Sequence, residues 1–142
     1  MNNPLAMLVC SAFVVLAFWH FYMALLPSSG RTGAVPSVDG KPLFVPSRNA
    51  TVAVGIFLGL LAALVAGTGG IVPLGLPSVV LISCSYALAL GLLARAMGEF
   101  KYVGFFKRVR GSRFATLDTF VYSPLCLLLA AGVALIAWRN GA

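Results

Sequence analysis

The chain is short of charge, and above all of negative charge: charged residues make up 9% of its 142 residues, and only three are acidic, Asp39, Glu99 and Asp118. A soluble domain usually carries about 25% charged residues. So few charges leave too little polar surface to face water, and most of the outside must lie against lipid or a partner. Cysteine is scarce as well. Cys10, Cys84 and Cys126 stand singly in apolar stretches, with no C-x-x-C pair and no Cys/His spacing suited to a metal. That argues against a thiol relay and a metal centre, and reads the cysteines as small buried hydrophobes. Cofactor fingerprints and nucleophile motifs are missing too, so neither a cofactor nor a catalytic set is predicted, and the reading leans away from an enzyme.

What is plentiful is hydrophobic residues, 61% of the chain, in long uninterrupted blocks. Only helices and closed barrels satisfy their backbone groups inside a bilayer. A barrel would alternate apolar and polar residues; continuous blocks select helices. A spanning helix needs about 20 apolar residues. The spans read as Pro4 to Leu26, Ala50 to Ala66, Ile71 to Ala96 and Leu117 to Trp138. The expected fold is therefore a single transmembrane domain over residues 1–142, an all-α four-transmembrane-helix bundle. Pro73 and Pro77 fall in the first turns of the third span, where a missing N–H matters least. Pro124 lies inside the fourth, frees the Phe120 carbonyl and predicts a kink there. The first block has no Lys or Arg before it and is too long for a signal peptide, so it reads as a retained helix.

Orientation follows from Lys and Arg. Arg31, Lys41 and Arg48 lie between spans one and two; Arg95, Lys101, Lys107, Arg108, Arg110 and Arg113 lie between spans three and four. Only Arg139 falls elsewhere, so these two segments are expected in the cytoplasm and both termini on the extracytoplasmic side. This placement accounts for the net charge of +7, and no nucleic-acid partner is inferred.

The first basic segment, Pro27 to Asn49, is rich in proline and glycine and reads as a connector, with a turn at Val38-Asp39-Gly40-Lys41. Leu43, Phe44 and Val45 are apolar, and either lie on the membrane surface or fold back onto the bundle. The second segment mixes Lys101, Tyr102, Lys107, Arg108, Arg110 and Arg113 with phenylalanines. Such a mixture suits a bilayer surface, rings at headgroup depth and cations on phosphates; a sharper reading makes it the lid of a polar site.

Ionisable groups at membrane depth are functional candidates by default. His20, Tyr86, Glu99, Asp118 and Tyr122 all fall toward the cytoplasmic end and form a candidate ligand-binding pocket. Each also has a plainer account. Asp118 reads equally as a first-turn carboxylate satisfying free N–H groups, Glu99 as the partner of Arg95 or Lys101, and His20 as an interfacial residue bonded to backbone. Ser83, Ser85 and Thr119 read as interhelical hydrogen-bonders. Gly55, Gly59, Ala63 and Gly67 in span two, and Ser83, Ala87 and Gly91 in span three, repeat every four residues. Small residues so spaced let helices approach closely. Spans two and three are therefore expected to form the tightest hairpin, with a homodimer through the same stripe as the alternative.

Three separated motifs carry a resemblance: His20 near the end of span one, the loop Asp39-Gly40-Lys41-Pro42-Leu43-Phe44-Val45-Pro46-Ser47-Arg48, and Gly104-Phe105-Phe106-Lys107 continued through Phe114-Ala115-Thr116-Leu117-Asp118 to Tyr122-Ser123-Pro124-Leu125-Cys126. Over nearly its whole length the chain resembles the small four-span bacterial membrane proteins grouped as domain of unknown function 3995. The resemblance implies a multi-pass protein of the bacterial inner membrane and supplies no reaction. The leading expectation is a non-enzymatic protein whose partners are the lipid bilayer and a small amphipathic molecule or lipid, held in a cytoplasm-facing pocket. One alternative is an intramembrane enzyme using His, Asp and Tyr for acid–base chemistry. The other is a small transporter subunit, disfavoured because no acid lies in mid-membrane. The orientation has a direct check: a cytoplasm-active reporter fused after Lys107 and a periplasm-active reporter fused after Ala142 should both be active. A silent cytoplasmic reporter at Lys107 beside an active periplasmic one there would invert the topology.

Overall fold

A computed structural model describes residues 3–26 and 34–141. Four helices are long and apolar enough to cross a membrane: α1 (Pro4–Leu25), α2 (Arg48–Thr68), α3 (Ser78–Met97) and α4 (Arg113–Gly141). Their outer faces carry large apolar side chains such as Leu8, Phe18, Leu60, Val79, Leu90, Phe120 and Leu128, each more than three-fifths exposed. A water-soluble monomer does not expose apolar surface on this scale; this is a multi-pass membrane protein. Arg31 and the rest of residues 27–33 lie outside the described residues.

Local signals set the helix ends. Asn3 caps α1 by accepting from the Ala6 N–H, and Pro4 occupies the first turn, where its absent N–H is not needed. Ser47 caps α2 through Ala50 N–H, and Ser112 caps α4 through Ala115 N–H. Both helices therefore begin earlier than their apolar runs. The third begins later than expected. Residues 71–77 are not helical, Gly75 takes a left-handed φ of 67°, and α3 starts only after Pro77. Pro77 disfavours helical backbone at the residue before it and lacks the N–H an interior turn needs. The two prolines thus precede the helix and do not belong to its first turns.

The irregularity expected at Pro124 takes the form of a π turn over Asp118–Tyr122 within α4, in which Ser123 N–H donates to the Asp118 carbonyl. Proline cannot donate to a preceding carbonyl, and a wider turn just ahead of it is one way a helix absorbs the loss.

The core draws on all four helices: Ala6, Val9 and Phe13 of α1, Ala62 and Val65 of α2, Ala89 of α3, and Leu129, Val133 and Ile136 of α4. The buried positions of α1, at 6, 9, 13, 17 and 24, keep helical spacing along one face. Pairing departs from the small-residue reading. α1 packs chiefly on α2 and α3 on α4, while α2 and α3 meet over a short stretch only. There Thr68 Oγ1 lies 2.8 Å from Ser85 Oγ and 2.9 Å from the Leu64 carbonyl. The expected stripe does not line a seam between them: Gly59, Ala63, Ser83, Ala87 and Gly91 are exposed. Gly55 instead faces the Phe21 ring of α1, and Gly67 faces Leu74. Cys84 is exposed as well, and Cys10 and Cys126 are only partly covered, so the cysteines are not the buried hydrophobes expected.

The described part of the connector between α1 and α2, residues 34–47, holds regular structure. Ser37–Val38 and Lys41–Pro42 pair as short antiparallel strands β1 and β2 around Asp39 (φ 50°) and Gly40 (φ 75°). This is the turn the Asp-Gly pair favours.

Close packing at the α1–α2 interface predicts a contrast between two glycines. A methyl group on Gly69 would overlap the side chain of Ala6 and come within 3.1 Å of the Val65 carbonyl, whereas one on Gly59 meets nothing within 4 Å. Gly69→Ala should destabilise the protein by about 1–3 kcal/mol, as overpacking does. Gly59→Ala should be neutral or stabilising by up to about 1 kcal/mol through helix propensity. Unfolding of both variants in detergent micelles checks the contrast.

Candidate functional site

Asp118 is completely buried, on the first turns of α4. It is not the helix cap: α4 begins five residues earlier, at Arg113, and Ser112 does the capping. Its carboxylate is instead held by three donors. Arg95 Nη2, near the end of α3, donates to Oδ1 at 2.9 Å. Lys107 Nζ at 3.1 Å and the Gly104 N–H at 2.6 Å donate to Oδ2.

The loop between α3 and α4 is shaped to deliver these donors. Gly98 and Gly104 have φ of 83° and 89°, and a Cβ on either would strike the backbone of the other's strand of loop. Only two glycines allow so close a backbone crossing. The Phe105 N–H donates to the Ala96 carbonyl, anchoring the loop to the end of α3. Lys107 then turns inward. Its ammonium donates to the Gly104 carbonyl at 3.0 Å, to Thr119 Oγ1 at 2.6 Å and to Asp118, which uses all three of its N–H bonds.

Lys107 thus differs from the surface row in which its sequence neighbourhood places it. It is 2% exposed. Lys101, Arg108, Arg110 and Arg113 are exposed, and Tyr102 is half-buried with Lys101 Nζ 4.9 Å from its ring centre. Glu99 does not pair with Arg95: it is exposed, and the Arg95 guanidinium turns to Asp118. Tyr86 points outward from α3, 40% exposed.

Beside this network, at the same end of the bundle, lies a cavity of about 760 Å³. Its walls are mostly apolar and come from all four helices and from the first connector, which contributes Val35, Phe44 and Pro46. Its polar lining is Arg95, His20, Tyr122, Thr51 and Cys126. His20 Nδ1 lies 2.8 Å from the Leu16 carbonyl, which can only accept, so Nδ1 carries a proton and Nε2 remains for other partners. The Tyr122 ring packs against Phe114 at 5.9 Å between centres. Of the five residues expected to form one pocket, His20 and Tyr122 line the cavity and Asp118 stands behind Arg95; Tyr86 and Glu99 are not part of the lining. Among the described residues no three of His, Cys, Asp and Glu gather closely enough to hold a metal ion.

Over residues 13–133 the chain matches the family described as "Protein of unknown function (DUF3995)". The chain belongs to that family. The match takes in both basic loops, the carboxylate network and the polar lining of the cavity, so the DUF3995 region and the candidate site coincide. No curated protein and no solved structure matches the chain.

Arg95 is the residue that sequence reasoning missed, having been assigned to topology and to Glu99. Its signal was available in principle: a carboxylate at membrane depth requires a cation, and Arg95 is the cation nearest the end of a neighbouring span. The network makes a quantitative prediction. Asp118→Asn leaves Lys107 buried without a counter-charge and should cost about 3–5 kcal/mol. Lys107→Met alone should also destabilise, and the double variant should lose clearly less than the sum of the two. Additive losses in micelle unfolding would mean that the two side chains do not interact.

Proposed function

We propose that this protein is a non-enzymatic binding protein of the bacterial inner membrane, whose cavity holds a small amphipathic molecule at the cytoplasmic face. The observation that carries the reading is a cavity with predominantly apolar walls and a polar group of Arg95, His20 and Tyr122 at one end of the bundle. Binding sites for small molecules share that composition, with few placed polar groups in an apolar enclosure of about 300–1,000 Å³. The cytoplasmic assignment rests on Lys and Arg in the two loops at that end.

Chemistry at Asp118 is a weaker reading. A general base must offer a free lone pair to its substrate, and both oxygens of Asp118 are engaged by cations or a backbone N–H. It acts here as a structural counter-ion that sets the position of Arg95.

Native mass spectrometry of the full-length protein, purified in a mild detergent, tests the reading. Wild-type protein should retain an amphiphile. Val54→Trp, which puts an indole into the cavity wall from a position outside the core, should release it while unfolding as the wild type does. Identical adducts in both proteins, or none in either, would overturn the proposal.

A further inference from the structure

We infer that the cavity selects a single-chain amphiphile with a monoanionic oxygen head group, a long-chain carboxylate, and that Arg95 is the residue that reads the charge. The inference rests on the proposed amphiphile-binding role and adds the ligand's chemical class. Arg95 and Lys107 are two cations sharing one buried carboxylate. Lys107 is fully spent, its three N–H bonds directed to Asp118, Thr119 and Gly104. Asp118 in turn takes Arg95 on one oxygen and Lys107 and Gly104 on the other. Within this network one positive charge is left over, and it sits on the guanidinium; Arg113, which also acts on Tyr122, lies outside the network.

Among the described residues no second acidic side chain neutralises the charge left on Arg95. Besides Asp118 the chain has only Asp39, exposed at the tip of the β1–β2 turn, and Glu99, also exposed and outside the network. Arg95 Nη1 is shielded from water and has no hydrogen-bond partner. An unpartnered buried donor is costly, and more so on a charged group. Arg95 is also a cavity-lining residue, and its side chain is 36% exposed, so part of it is open to an occupant while Nη2 stays on Asp118. Guanidinium binds carboxylates through two parallel N–H bonds.

Charge matching selects the head group. The single charge left on Arg95 suits a monoanion paired with that residue. A phosphate monoester carries about −1.5 to −2 at neutral pH and would overshoot. The volume of about 760 Å³ lies in the range of sites that take one small molecule, which matches a single chain and leaves the two-chain alternative to the test. His20 and Tyr122 belong to the same lining.

The experiment titrates full-length protein in micelles with palmitate, the matched alcohol, the matched amine and phosphatidylglycerol, read by native mass spectrometry. Wild-type protein should bind palmitate about tenfold or more tighter than the alcohol, the yield of one charge-assisted hydrogen bond, and should bind the amine worst. Arg95→Lys keeps a cation for Asp118 but removes the second nitrogen of the fork, and should bring the carboxylate-to-alcohol ratio to near parity. Equal binding of all three single-chain probes by wild type would overturn the charge inference and leave the amphiphile-binding role standing. Phosphatidylglycerol outcompeting palmitate would overturn the single-chain assignment. An undiminished ratio in Arg95→Lys would overturn Arg95 as the reader. Binding of none of the probes, with no retained adduct, would remove both this inference and the role beneath it. The wild-type comparison decides the head-group question even if the variant is unstable.

Discussion

A carboxylate with no exposed surface, set where water does not reach, has to be met by positive charge and N–H donors, and Asp118 is met by Arg95, Lys107 and the Gly104 amide. Much of the loop end of the bundle depends on that requirement. It ties the end of α3 to the start of α4 across a loop that has little other regular structure. It draws Lys107 inward past two glycines that let the backbone cross itself. A buried ion pair adds little net stability over a well-packed apolar replacement, yet removing one member is severe. Its consequence is therefore read in geometry: where the loop lies, and where the Arg95 guanidinium is held.

That placement links the network to the cavity. Arg95 belongs to both, one nitrogen on Asp118 and its side chain on the cavity wall. The π turn of α4 runs from Asp118 to Tyr122, so the residue that holds Arg95 and a residue that lines the cavity bound the same irregular turn. Such turns recur at functional sites. Here the turn immediately precedes Pro124, whose missing N–H makes a regular helix unavailable. The first connector adds Val35, Phe44 and Pro46 to the wall of the same cavity.

The hairpin pairing shows how a local pattern misleads. Small residues every four positions permit close approach, but they do not say which neighbour comes close. Gly55 admits the Phe21 ring, Gly69 admits Ala6 and Gly132 admits Val9, all of them α1 contacts. Gly59 and Gly91 admit nothing. The short turn between α2 and α3 made them neighbours in sequence, but the non-helical stretch 71–77 spaces them apart, and the large side chains that fill the core belong to the α1–α2 and α3–α4 pairs.

The number of spans, their approximate extent and the gathering of basic residues at one end were all set by composition and hydropathy, because a bilayer imposes one length and one polarity rule on every crossing. Helix ends were legible less well. An apolar run marks what sits in hydrocarbon, whereas a helix begins at its cap, and Ser47 and Ser112 precede their apolar runs by several residues. The irregular turn was legible from Pro124, and the β-turn from Asp39-Gly40, since both are backbone effects confined to neighbouring residues. The candidate site was half legible. His20, Asp118 and Tyr122 stood out as polar groups at membrane depth, but the partners of Asp118 did not. Arg95 and Asp118 stand 23 residues apart, and Lys107 looks on sequence like its exposed neighbours Arg108 and Arg110. Which of several cations turns inward depends on where the chain folds back, and that is decided by close backbone crossings and side-chain packing between elements, which no local pattern of charge or hydropathy encodes.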